Sequence, residues 1–198
     1  MIRSRFLRPL VALAGAILIA SCATDSSAPD ATGPDGPNVA LSGPATEANG
    51  REFQALWWNH DLNAVVQASK TIDQSGGVLS IPETGLTMEF PAGAVSGPIT
   101  ITVTADREYV AYKMEPAGTK FLKDVTVTQA MSTTRLSGQS LQNQIYATYI
   151  ADDSLSLSGR VPVIEIEPSK TVFLPNSSVP QAHVWIIRHF SRYMLASD

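Results

Sequence analysis

The 198-residue chain has one cysteine, three histidines and few charges: 14 Lys plus Arg and 18 Asp plus Glu make up 16% of it. One cysteine makes no internal disulfide, and no Cys/His cluster has zinc-site spacing. The formal net charge is −4, and this acidic balance argues against a nucleic-acid partner, since phosphate binding needs clustered Lys and Arg. There is no Gly-x-Ser-x-Gly elbow, and the glycines fall in β turns rather than at a helix start. Neither an α/β-hydrolase site nor a phosphate loop is indicated. On these grounds no cofactor and no metal is expected, and the fold must hold by its core.

The first 22 residues are the most informative. Residues 1–9 carry Arg3, Arg5 and Arg8 and no acid, and residues 10–20 are an unbroken run of apolar and small residues. A basic stretch before a short apolar one reads as a secretory signal. The run is shorter than the roughly 18 residues a membrane span needs. It ends Ile19-Ala20-Ser21-Cys22, which looks like the bacterial lipoprotein lipobox. That resemblance implies removal of residues 1–21, acylation of Cys22 and attachment of the mature protein to a membrane through lipid. Lipoproteins retained in the inner membrane usually carry Asp after the cysteine. Ala23 stands there instead, which favours the outer membrane, facing periplasm or cell surface. Processing removes three Arg and leaves 11 basic against 18 acidic side chains, or −7. No polybasic patch would assist the lipid.

Residues 23–50 hold four Pro, four Gly and four acids, with no aromatic or basic residue. Such a segment buries too little apolar surface to offset its chain entropy and reads as a tether. As a flexible coil it would span about 30 Å.

Residues 51–198 read as one domain, of a size that buries about 70% of its unfolded surface. Leu86, Met88 and Phe90 alternate with polar residues, as do Ile99, Ile101 and Val103; residues 125–128 repeat the device. Thr alternating with Ile, Val, Phe or Tyr marks half-buried strands. Many short strands bounded by Gly, Pro and Asn predict an all-β, antiparallel β-sandwich. Residues 47–65 fit either a short helix or an edge strand. Trp57-Trp58 reads first as a core plug or hydrophobic cap.

A resemblance rests on four pieces: Gly76-Gly77; Gly85-Leu86-Thr87-Met88-Glu89-Phe90-Pro91-Ala92-Gly93-Ala94; Ile99-Thr100-Ile101-Thr102-Val103; and Met114-Glu115-Pro116-Ala117-Gly118-Thr119-Lys120-Phe121. Together they resemble the ZU-five domain of zonula-occludens-type scaffolds, ankyrins and netrin receptors, which also occurs in bacterial surface lipoproteins. The resemblance covers residues 71–132 and resumes in a closing strand at residues 183–196. It implies an antiparallel sandwich and, by analogy of fold, protein–protein contact.

His189-Phe190-Ser191 is similar to the self-cleavage site of some members of that family, including a death-domain signalling protein, and of an unrelated nucleoporin. That similarity implies attack of Ser191 Oγ on the Phe190 carbonyl, an N-to-O acyl shift, and His189 as base. In the family pattern Ser is followed by Gly-Tyr; here Arg192 replaces the glycine and Tyr193 is kept, which makes a tight, strained turn less natural. The plainer reading is a closing strand with Phe190 on one face and His189 and Ser191 on the other.

Three weaker constellations remain. Asp152-Asp153 beside Ser154 could bind calcium, but reads first as a pair of loop acids. Glu165 and Glu167 share one face of a strand; a glycosidase needs two carboxylates across a cleft, and adjacent like charges on a strand are expected to face solvent. His60, Asp61 and His183 could be drawn as parts of a triad, as in any chain with three histidines. The sequence therefore predicts a non-enzymatic interaction or structural module of the cell envelope. Its expected partners are envelope proteins first and polysaccharide second. Trp57, Trp58, Tyr109 and Tyr112 would be contact residues if exposed.

Overall fold

Alternation of Thr with β-branched and aromatic residues builds fourteen strands in the described part of the computed structural model, Leu41 and residues 43–198. The signal segment, Cys22, Ala23 and most of the tether lie outside the described residues. The first strands are β1 (Thr46–Glu47), β2 (Glu52–Ala55), β3 (Gln67–Ile72), β4 (Gly77–Ile81) and β5 (Leu86–Phe90). Next come β6 (Ile99–Ala105), β7 (Ala111–Glu115), β8 (Lys120–Ala130) and β9 (Ile145–Ile150), with a 3-10 turn at Met131–Thr133. The last are β10 (Arg160–Pro162), β11 (Glu165–Glu167), β12 (Ser169–Phe173), β13 (Pro180–His189) and β14 (Arg192–Ser197).

Two antiparallel sheets pack together as a sandwich. The larger runs β1-β11-β9-β14-β7-β6-β3, and β2 joins it by pairing with both β14 and β10; the smaller runs β12-β13-β8-β5-β4. The main core lies between them and includes Ile72, Met88, Val103, Val127, Trp185 and Tyr193. Successive residues of a strand point to opposite faces. Met194 and Ala196 therefore turn away from that core and join Phe53, Tyr109, Ile150 and Val161 in a second cluster on the outer face of the larger sheet.

Two turns show why the glycines stand where they do. Gly76 has φ +79, and a Cβ there would collide with the Phe90 backbone carbonyl. Gly85 has φ +72, and a Cβ there would lie 2.8 Å from the Ala130 methyl. Neither conformation is comfortable for a residue with a side chain.

The structure corrects several expectations. Ordered chain begins before residue 51: Thr46 and Glu47 pair with Ile166 and Glu165, and Ala48 is buried, because this segment completes the edge of the larger sheet. Of the two readings left open for residues 47–65, the strand is the one formed: Phe53 is buried on β2. The closing strand over 183–196 is two strands in two sheets. The β13–β8 register slips between Ile187 and His189, and β14 starts afresh at Arg192 in the other sheet. A bulge of this kind bends a strand and ends its pairing. Phe190 and Ser191 are thus the corner at which the chain crosses the sandwich.

Candidate functional site

At the corner, Phe190 is buried against Phe90 and Phe121, with ring centroids at 6.4 and 4.8 Å and near-perpendicular planes. Edge-to-face packing of this kind adds to the burial of the rings. The Phe190 N–H donates to the Thr119 carbonyl at 2.8 Å, and the Phe190 carbonyl accepts from the Gly118 N–H at 2.9 Å. The Ser191 carbonyl accepts from the Met114 N–H at 3.0 Å. The Pro-x-Gly turn thereby clamps the corner. Among the described residues no hydrogen bond joins His189 to Ser191, and the non-glycine residues with positive φ are Asn49 and Asn176, both remote from the corner in sequence.

The His189 imidazole instead faces residues of the larger sheet. The Tyr193 hydroxyl donates to the His189 carbonyl at 2.8 Å and lies 3.3 Å from its Nδ1. The Tyr149 ring packs edge-on at 5.0 Å. Glu165, Tyr149, Tyr193 and Tyr112 form one row across β11, β9, β14 and β7, and Glu167, Ala147 and Leu195 form the next row on the same face. That face is the inner one, since Tyr112, Tyr193, Ala147 and Leu195 belong to the main core.

Glu165 and Glu167 consequently point inward, contrary to the expectation that they face solvent. Their strand sits where two crossings between the sheets meet, the one through Pro168 and the one through Phe190, and the register carries both carboxylates to the inner side. Ligand atoms of Glu165, Glu167 and His189 all lie within 4.8 Å of one another. Glu167 is only 5% exposed. Burial, and then the neighbouring Glu165 carboxylate, push its pKa up to about 7, while the Arg188 cation opposes the shift. Burial also raises the Tyr193 hydroxyl well above the ordinary tyrosine range, so it remains a donor. The two carboxylates stand side by side on one strand rather than facing each other across a cleft, which does not match the glycosidase arrangement. Two oxygens and one imidazole nitrogen are a set able to hold a divalent metal.

Of the other sequence candidates, the loop acids and His183 are held by local contacts. Asp152 Oδ1 accepts from the Ser154 N–H and hydroxyl, and Asp153 pairs with Lys113 at 3.1 Å. The carbonyls of Asp152, Asp153 and Leu155, which a calcium ion would need, accept instead from Arg192 Nη1 at 3.4, 3.1 and 2.8 Å. His183 is buried with Nδ1 3.0 Å from Thr171 Oγ1, whereas His60 and Asp61 are exposed.

Of the four aromatics that would be contact residues if exposed, three are buried. Trp58 bonds the Asp106 carbonyl through Nε1 at 2.9 Å, and Tyr112 donates to Gln129 Oε1 at 2.6 Å inside the core. Tyr109 is covered by the second cluster. Trp57 alone is half-buried, with the Arg135 guanidinium 5.2 Å over its ring.

An open groove that the sequence did not announce lies at the β9–β12 edge. Its cavity is about 570 Å³, lined by Gln142, Asn143, Gln144, Thr171, Phe173 and neighbouring residues. Phe173 is 41% exposed. The amide run was readable in the sequence, but not its position beside an aromatic from another strand. No protein-family model matches the chain, and no curated protein matches it.

Proposed function

We propose that the protein is a lipid-anchored β-sandwich of the cell envelope, acting as a non-enzymatic interaction or structural module. One observation carries this reading: the order of segments along the chain. A basic stretch, an apolar run and Ile19-Ala20-Ser21-Cys22 come first, a Pro- and Gly-rich tether follows, and the sandwich begins at β1. A lipid on Cys22 would hold the domain near the membrane, and the tether would let it reach a partner fixed in the envelope. Ala23 favours the outer membrane by the same sorting logic. Protein partners come first, by the analogy with ZU-five scaffolds.

Fractionation of bacteria expressing the full chain tests the anchor. The protein should sediment with membranes, and Cys22→Ser should release it; retention of that variant in the membrane fraction would count against acylation. Cross-linking in intact cells, followed by identification of the attached chain, tests for an envelope protein partner.

The groove favours a second reading, binding of polysaccharide. Side-chain amides can exchange hydrogen bonds with sugar hydroxyls, and the exposed Phe173 ring can cover an apolar sugar face. Retention on immobilised cell-wall polysaccharide, lost on Phe173→Ala, would support it; unchanged retention in that variant would refute the groove as the site.

A further inference from the structure

We propose that Glu165, Glu167 and His189 bind a divalent transition-metal ion, with zinc the best match to the donors. The three come from strands of different sheets, yet their ligand atoms lie within 4.8 Å of one another. Tetrahedral ligands at zinc distances stand about 3.3 Å apart, so the three groups would draw closer by up to about 1.5 Å to close on an ion.

A second observation points to a ligand. Glu167 is 5% exposed, and none of the ion pairs among the described residues involves its carboxylate. A largely buried carboxylate is costly without a counter-charge, and such groups are ordinarily paired or bound to metal. The nearby cation does not fill the role, because Arg188 is held by Asp124 through Nε at 2.8 Å and Nη2 at 2.9 Å.

The surroundings suit a metal ligand. The Tyr193 hydroxyl touches His189 at Nδ1 and at its carbonyl, which fixes the ring; metal-binding histidines are ordinarily oriented by an oxygen in this way. An imidazole donor favours zinc over calcium or magnesium, which take six or more oxygens. A +2 ion would offset the two carboxylates. It would also join β11 to the end of β13, stapling the sheets where the chain crosses between them.

The test is zinc chloride titrated calorimetrically into full-length, untagged, EDTA-treated protein. One saturable site per chain and a melting temperature raised by several degrees are expected. Glu167→Gln and His189→Gln should each weaken binding by at least about tenfold, and Tyr193→Phe by about tenfold through loss of ring orientation. Circular dichroism verifies their fold; Glu165→Gln, at a half-buried position, carries the same expectation with less disturbance to packing. No saturable binding at millimolar zinc would overturn the inference. So would zinc binding undiminished in Glu167→Gln and His189→Gln, which would place the ion elsewhere, for example at Cys22. A preference for calcium over zinc would overturn the assignment of the metal.

Discussion

Arg192 Nη2 stands 3.7 Å from the Asp106 carboxylate, with the two side chains 11% and 29% exposed. The same guanidinium holds three carbonyls of the 152–155 loop. Arg192, the residue after His189-Phe190-Ser191, is therefore an anchor that packs the loop onto the larger sheet. Truncation to Arg192→Ala should destabilise the fold by about 2–3 kcal/mol, the scale of hydrogen bonds to a charged group left unmade. Urea denaturation measures the loss, and hydrogen exchange should quicken first in the 152–157 loop. Wild-type stability in this variant would contradict the anchoring role.

His183 gives the fold a pH dependence. It is fully buried, and burial lowers its pKa from 6.5 to about 4. Its neighbours across the ladder, Thr171 and Gln129, carry no charge. The unfolded chain takes up the proton first as pH falls. The contribution is thus complete above about pH 6.5 and is lost progressively toward pH 4, by about 2 kcal/mol between pH 7 and pH 5. Denaturation of wild type and His183→Gln at both pH values isolates it: wild type should lose that much more than the variant. Equal losses would mean that His183 titrates freely in the folded state.

The Phe190–Ser191 peptide should stay whole. The Gly118, Thr119 and Met114 backbone clamps it, and the His189 ring is turned to Tyr193 and the glutamates. Intact-mass spectrometry after prolonged incubation should give a single species, for wild type and Ser191→Ala alike. Release of residues 191–198 from wild type alone would establish self-cleavage.

Gly76→Ala should cost about 1–3 kcal/mol for the positive φ alone, and more for the contact with the Phe90 carbonyl. That atom belongs to the backbone and has little room to move. A thermal melt unchanged from wild type would refute the assigned turn geometry.

Strand positions were largely legible, because Thr alternating with apolar residues is a local pattern. Leu86–Phe90 and Ile99–Ala105 form where that pattern runs. The break at Phe190 was hidden because β13 is buried on both faces: Val184 and Ile186 are as inaccessible as Trp185 and Ile187. Its alternation continues smoothly into Tyr193 and Leu195 although the chain has changed sheets. The spacing of Glu165 and Glu167 showed that they share a face. Which face depended on pairing with Tyr149 and Ala147, contacts between distant segments that strand periodicity does not encode. The covering of Tyr109 was not legible because the cluster that covers it is assembled from β2, β10 and the 150s loop, all remote in sequence.

Attachment through Cys22 is the premise on which the envelope reading depends. Mass spectrometry of the N-terminal peptide, from protein extracted with detergent from bacterial membranes, tests it directly. The peptide should begin at Cys22 and carry acyl chains on that residue, with residues 1–21 gone. A mature chain that begins elsewhere, or a free thiol at Cys22, would contradict it.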